Sequence, residues 1–154
     1  MSILALKGAI AMKLQEIMTQ SVVKIHPEES VATAARHLTH YNIGMLPVCD
    51  QKGALCGVVT DRDLVTRCLA TGRRPEDVKV REVMTGRVVS ADPNMEAGVA
   101  AHLMGKEQIR RLPVCEKNGK LCGMVSLADL ARQEECGYDA ADALTEISSE
   151  ISNR

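Results

Sequence analysis

The chain has 154 residues, a formal net charge of −1, 45% hydrophobic and 25% charged residues, and neither Phe nor Trp. That size suits one compact domain or two small, intimate ones. Near-neutral charge removes the electrostatic basis for nucleic-acid binding, and Tyr41 and Tyr138 alone leave few stacking platforms for single strands. In chain order, residues 1–13 read as a helical leader, because Ile3, Leu6, Ile10, Leu14 and Ile17 fall near helical spacing. Its two readings are a helix packed on the body and an oligomer contact; Met12 is a second candidate start. The apolar run from Met1 to Ala11 is interrupted by Lys7, too short to span a membrane and a poor signal peptide. Six cysteines in a chain this long do not form a secreted disulfide framework, so the expected compartment is the cytoplasm, with reduced thiols and no membrane partner.

From residue 14 the chain repeats itself. Residues 16–65 align without a gap on 82–131, with 20 of 50 positions identical. Glu16-Ile17-Met18-Thr19 returns as Glu82-Val83-Met84-Thr85, and Leu46-Pro47-Val48-Cys49 as Leu112-Pro113-Val114-Cys115. A gapless duplication of this length means two copies of one supersecondary unit. Each copy opens with a β-rich run, Ser21–Ile25 or Arg87–Ala91, closed by Pro27 or Pro93. A helix follows, with Val31, Ala34, Ala35 and Leu38 on one face, matched by Ala97, Ala100, Ala101 and Met104; Ser30 is a candidate N-cap. Then comes a hairpin, turning through Asp50-Gln51-Lys52-Gly53 or Glu116-Lys117-Asn118-Gly119. A second helix runs from Asp61 to about Ala70, with Leu64, Val65, Cys68 and Leu69 inward and Gly72 as a left-handed cap. Its counterpart runs from Leu127 to about Cys136 and stops at Gly137. The fold class is α+β: two pseudo-symmetric β-α-β-β-α repeats, 14–72 and 82–137, packed sheet to sheet as one module. Residues 73–81 are the linker, and 138–154 form an amphipathic tail carrying Leu144, Ile147 and Ile151.

The chemistry-bearing pattern lies where the last strand of each copy meets the last helix. Thr60 and Asp63 stand there in one copy, Ser126 and Asp129 in the other. A hydroxyl at a helix mouth sits beside unpaired N–H groups and the positive end of the helix dipole, a natural place for an anion. An aspartate one turn in suits the paired hydroxyls of a ribose. The same spacing is that of a capping box, which needs no ligand and stabilises by about 1 kcal/mol. From the residues alone both readings stand.

The doubled unit, with Met-Thr ahead of the first strand, Leu-Pro-Val in the hairpin and Gly57-Val58-Val59-Thr60-Asp61-Arg62-Asp63 at the second helix, resembles a tandem pair of cystathionine-β-synthase (CBS) domains, a Bateman module, of the stand-alone bacterial type. The resemblance covers residues 14–136. It implies a regulatory, non-catalytic module that binds an adenosine-containing ligand (AMP, ADP, ATP, S-adenosylmethionine or NAD) in clefts between the two repeats. The ligand state would pass to a regulated protein or to the module's own homodimer; no cofactor is required. Carried over by position, Thr60 meets phosphate and Asp63 holds the ribose, with Arg62, Lys24, Gly44, Met45 and Pro47 around the ligand. In the second copy Ser126 and Asp129 take those roles, with Ser90, Arg110, Arg111 and Pro113 nearby. The copies differ in charge: Asp61-Arg62 becomes Leu127-Ala128, and Gly44-Met45 becomes Arg110-Arg111. Arginine suits bidentate phosphate contact.

Two further functions are alternatives: a structural or interaction protein whose hydroxyl–aspartate pairs are only caps, and a thiol redox sensor. Cys49 and Cys56 flank one hairpin turn, Cys115 and Cys122 the other, where the reading is small buried residues or a redox pair. His37 and His40, one helical turn apart, and His102 read as surface histidines. No Cys-x-x-Cys spacing, Ser-His-Asp set or Walker-type glycine loop is present, so no metal site and no catalytic residue is expected.

Overall fold

The computed structural model describes residues 11–133 and 137–152. Its elements are α1 (Leu14–Ile17), α2 (Val31–Tyr41), β1 (Met45–Cys49), β2 (Leu55–Thr60), α3 (Asp61–Arg67), α4 (Val80–Val83), α5 (Ala97–Glu107), β3 (Arg111–Cys115), β4 (Leu121–Ser126), α6 (Leu127–Ala131) and α7 (Gly137–Ser152). The fold is α+β, with two antiparallel hairpin sheets, β1–β2 and β3–β4. Most of the expected leader lies outside the described residues, and residues 11–13, within it, are not helical. Among the described residues no helix is long and apolar enough to cross a membrane.

The chain separates into two compact units. One comprises Val23–Val88 with Asn118–Leu121 and is called here the first-repeat unit. The second-repeat unit takes residues 11–22, Val89–Lys117 and the described residues from Cys122 onward. Each repeat's leading segment therefore belongs to the unit built around the other repeat.

In the first-repeat unit, β1 and β2 pair with Met45 opposite Thr60, Leu46 opposite Val59 and Pro47 opposite Val58. The turn is closed by the Asp50 carboxylate, which accepts from the Lys52 and Ala54 N–H groups, and by Gly53 at φ +84°. Ser30 caps α2 by accepting from Thr33 N–H at 3.1 Å. Val31, Ala34 and Leu38 face the core with Ile25, Leu46, Val48 and Val59. The expected first strand shrinks to one parallel bridge, Ile25 with Val48. Its bonds run from Ile25 N–H to Pro47 O (3.0 Å) and from Cys49 N–H to Ile25 O (2.9 Å). Extending the ladder backwards needs an N–H on residue 47, and extending it forwards needs one on residue 27; both are proline, which has none. Pro113 and Pro93 limit Ala91 to a single bridge with Val114 in the same way.

The linker segment completes this unit. Val80 N–H donates to Glu29 O, Arg81 N–H to Pro27 O and Val31 N–H to Val78 O. The Glu82 side chain caps α4 by accepting from Lys79 N–H at 2.7 Å. Beyond α4, Thr85 and Val58 exchange both backbone hydrogen bonds, at 2.8 and 3.0 Å. That approach requires Gly57, where a Cβ would lie 2.8 Å from both Met84 Sδ and the Thr85 carbonyl oxygen.

The second-repeat unit reproduces this arrangement 66 positions away. Leu14 N–H donates to Met95 O, Gln15 N–H to Pro93 O and Ala97 N–H to Met12 O; Glu16 caps Lys13; Thr19 and Met124 exchange backbone bonds. Met18 lies over Gly123 as Met84 lies over Gly57. The repeated Glu-x-Met-Thr is thus a capping and edge-pairing device. This unit also has α7, laid along α5: Gly98 faces Asp139, and Gly105 faces Ala143, whose Cα would lie 3.0 Å from an added Cβ. Ala140, Ala143 and Ile147 enter the core with Ala97, Ala100, Ala101 and Met104.

Two helices differ from expectation. α3 ends at Arg67 and passes through a 3-10 turn, Leu69–Thr71, before Gly72 at φ +76°. Leu64 and Cys68 are buried, but Val65 (53%) and Leu69 (56%) are exposed, as is Ala35 on α2. α6 stops at Ala131, and Gly137 opens α7 instead of closing the helix before it; the expected end near Cys136 and the side chain of Ile151 lie outside the described residues.

Candidate functional site

At the β2–α3 junction Thr60 is the last, still extended residue of the strand, and its hydroxyl oxygen caps the start of the helix. Thr60 Oγ1 accepts from Asp63 N–H at 3.1 Å, and Asp63 Oδ2 accepts from Thr60 N–H at 3.0 Å. Ser126 and Asp129 make the same reciprocal pair at 3.0 and 2.9 Å. Both junctions are complete capping boxes. The bonds still leave chemistry unspent. Each hydroxyl oxygen is used as an acceptor, so its proton is available to donate outward. Each aspartate commits Oδ2 to the cap; Asp63 Oδ1 accepts no hydrogen bond among the described residues, whereas Asp129 Oδ1 accepts from Arg132 at 3.0 Å.

That remaining oxygen faces an arginine in both units. Asp63 Oδ1 lies 3.8 Å from Arg67 Nη1, and Asp129 Oδ1 lies 3.0 Å from Arg132 Nη1. Arg67 also donates to the carbonyls of Val83 (3.0 Å) and Met84 (3.3 Å), fastening α3 to the segment after α4. Sequence reasoning overlooked both arginines, although the spacing from each aspartate, four and three residues, is that of side-chain neighbours on a helix. Asp63, 8% exposed, is the one polar or charged residue in the buried class among those described.

The structure brings the other first-repeat residues close through the backbone. Gly44 O accepts from Asp61 N–H at 3.3 Å, and Met45 stands opposite Thr60. Pro47 is buried and holds Ile25, placing exposed Lys24 beside the hairpin entry. Arg62 is exposed on the first turn of α3. In the second-repeat unit Arg110 O accepts from Leu127 N–H at 2.8 Å, and Pro113 O from Ala91 N–H at 2.9 Å, which sets exposed Ser90 beside that hairpin. Arg110 and Arg111, with Ser126, line a cavity of about 560 Å³ whose far side is α7. Ser90 and Pro113 are not among its lining residues. The contribution of α7 was invisible in the repeat, because it has no counterpart in the first copy.

The hairpin cysteines are built as packing. Cys56 and Cys122 donate their thiols to the Val48 and Val114 carbonyls at 3.2 and 3.3 Å. Burial pushes the Cys56, Cys115 and Cys122 thiols up, away from the reactive thiolate. His37 and His40 lie against the ring of Tyr41. Among the described residues no group of three or more His, Cys, Asp and Glu side chains is gathered as for a metal ion.

A family model for the CBS domain matches residues 14–70 and 80–135. The chain belongs to the CBS domain family. The CBS domain-containing protein YhcV of Bacillus subtilis is 40% identical over 135 residues, covering 88% of this chain and 94% of that protein. A crystal structure of CBSX2 in complex with AMP superposes with a TM-score of 0.69 at 28% identity, over 78% of this chain and 93% of that one. The CBS domain pair of protein MJ0100, in complex with 5'-methylthioadenosine and S-adenosyl-L-methionine, gives a TM-score of 0.70 at 27% identity, over 79% and 94%. The repeats seen in the sequence are CBS repeats, and each carries one hydroxyl–aspartate junction.

Proposed function

We propose that this CBS pair is a regulatory, non-catalytic module that binds an adenosine nucleotide at the Thr60–Asp63 junction. A related occupancy at Ser126–Asp129 is part of the same reading. The observation that carries it is the burial of Asp63 with one carboxylate oxygen outside the cap. Taking a carboxylate out of water is unfavourable, and a helix cap alone does not require it. The Thr60 hydroxyl proton suits a phosphate oxygen, and Asp63 Oδ1 suits ribose hydroxyls. Related CBS pairs with AMP, or with 5'-methylthioadenosine and S-adenosylmethionine, support this ligand class. Regulation follows if the ligand prefers one conformation of the module, passed to a partner protein or to its own homodimer; a tenfold preference supplies about 1.4 kcal/mol.

The test is thermal melting with AMP, ADP, ATP, NAD and S-adenosylmethionine. A ligand at 100 times its Kd adds about 2.7 kcal/mol to stability. Asp63→Ala and Thr60→Ala should each remove that shift. The completed capping boxes favour a second reading, a structural or interaction protein. In that case Thr60→Ala lowers stability by about 1 kcal/mol and none of the five compounds changes the melting temperature.

A further inference from the structure

The turn between β3 and β4 carries the chain's one Asn-Gly pair, Asn118-Gly119; the matching positions of the first hairpin are Lys52-Gly53. An asparagine before glycine is open to attack on its own side-chain amide by the next backbone nitrogen, because glycine sets no Cβ beside that nitrogen. Asn118 is exposed, and nothing beyond its chain neighbours lies within 4 Å of where a Gly119 Cβ would stand. Asn118 Oδ1 accepts from Lys120 N–H at 3.0 Å. That donor points at the oxygen on which negative charge collects during the attack, which favours it. The other described asparagines are built differently. Ile43 N–H, after Asn42, donates to Leu38 O, and Met95 N–H, after Asn94, donates to Asp92 O, both at 3.0 Å. In each of those pairs the following residue also carries a side chain. Asn118–Leu121 has a structural duty as well, since the segment belongs to the first-repeat unit. Leu55 N–H donates to Gly119 O and Leu121 N–H to Gly53 O, both at 3.1 Å, and these bonds seat it there.

We infer that Asn118 is a modification site, at which spontaneous deamidation to isoaspartate releases the Asn118–Leu121 segment from the first-repeat unit. The Gly119 nitrogen gives its proton to hydroxide and bonds to Asn118 Cγ. Oδ1 takes up the electron pair, and its return expels Nδ2 as ammonia, leaving a five-membered imide. Water then opens the ring. Opening at the side-chain carbonyl gives aspartate; opening at the main-chain carbonyl gives isoaspartate, whose backbone runs through Cβ and Cγ and is one bond longer. Only water is consumed, and nothing is oxidised or reduced. Aspartate keeps an oxygen for Lys120 N–H, as Asp50 Oδ1 accepts from Lys52 N–H at 2.9 Å. Isoaspartate draws that carbonyl into the main chain and shifts the register, so the two bonds that seat the segment cannot both form. The modification needs no ligand and stands apart from the nucleotide reading.

The chemistry is tested by ageing the full chain at pH 7.5, folded and in urea, and mapping its peptides with electron-transfer fragmentation, which separates isoaspartate from aspartate. Position 118 should convert first in the folded chain, ahead of Asn42 and Asn94, and the Asn118→Gln chain should stay unmodified there. The folded chain should react at no less than about a tenth of the rate in urea, a barrier difference of at most about 1.4 kcal/mol. Conversion confined to the urea-unfolded chain, or Asn42 or Asn94 reacting ahead of Asn118, would overturn the inference. The consequence is read by hydrogen exchange at the Leu55 and Leu121 amides. Both should exchange about tenfold faster in the isoaspartate fraction, a loss of about 1.4 kcal/mol of local protection. The Asn118→Asp chain should exchange like the parent. An isoaspartate fraction as protected as fresh protein would sink the release, and so would an Asn118→Asp chain loosened to the same degree, since added charge would then account for it.

Discussion

Gly57→Ala isolates the device that joins Met84-Thr85 to the first CBS repeat. The new methyl would sit 2.8 Å from the Thr85 carbonyl oxygen and 2.8 Å from Met84 Sδ. The methionine tip moves easily, but the carbonyl belongs to backbone held by the two Val58–Thr85 hydrogen bonds. Relieving the contact separates the segments. Overpacking of this kind costs about 1–3 kcal/mol, and two backbone bonds contribute about 0.5–1.5 kcal/mol each. The sum is about 2–6 kcal/mol, and at about 2–4 °C per kcal/mol for a chain this long the melting temperature should fall by roughly 4–24 °C. The control is Gly44→Ala, where nothing lies within 4 Å of the added Cβ; it should stay within about 0.5 kcal/mol of the parent. Circular dichroism melts of the three proteins suffice. A Gly57→Ala protein that melts with the parent would refute the claim that close backbone approach fixes this glycine.

Three further outcomes are expected. Leu64→Ala should cost about 2–5 kcal/mol in urea unfolding, while Val65→Ala, one residue along the same helix, should change stability by less than about 0.5 kcal/mol; equal losses would contradict the observed helix face. Arg67→Gln removes the donor to the Val83 and Met84 carbonyls, so its urea midpoint should drop by the equivalent of about 1 kcal/mol, with an unchanged midpoint arguing that this fastening is idle. The raised Cys56, Cys115 and Cys122 thiols keep their protons in the folded state at pH values where the unfolded chain has begun to lose them. Their contribution is therefore complete below the unfolded thiol pKa, about 8.5, and is lost as pH rises above it. Denaturant melts between pH 7 and 10 should show stability falling on the alkaline side, and slow alkylation of the folded chain at pH 7.5; a flat profile would refute the assignment.

Local chemistry was legible wherever a residue acts on its own neighbours. Ser30 caps α2, Gly72 takes the left-handed conformation, and the spacing of Thr60 and Asp63 announced a capping box, because each of these depends on side chains within a few positions. The first strands were less legible. Val22-Val23-Lys24-Ile25 has strand composition, but ladder length is set by the partner, and Pro47 withholds the N–H that Val23 would need. Val65 and Leu69 were read as inward from apolarity alone, although only Leu64 and Cys68 lie on the face turned to the core. The least legible feature was α7 as a cavity wall: duplication predicts what the copies share, and α7 has no counterpart in the first copy. At the candidate site the hydroxyl–aspartate pair was found from spacing, while Arg67 and Arg132 escaped because they stand outside the repeated pattern.

The exchange of leading segments has a consequence for how such a chain is held together. A single repeat carries a Met-Thr segment and a glycine-floored strand edge of matching chemistry, yet in this fold the two are used in different units. Two free repeats would complete each other only by trading segments, an event that dilution opposes. Residues 73–81, joining the copies in one chain, turn that trade into an intramolecular closure at an effective concentration of order millimolar. The linker thereby frees completion of both units from how much protein is present.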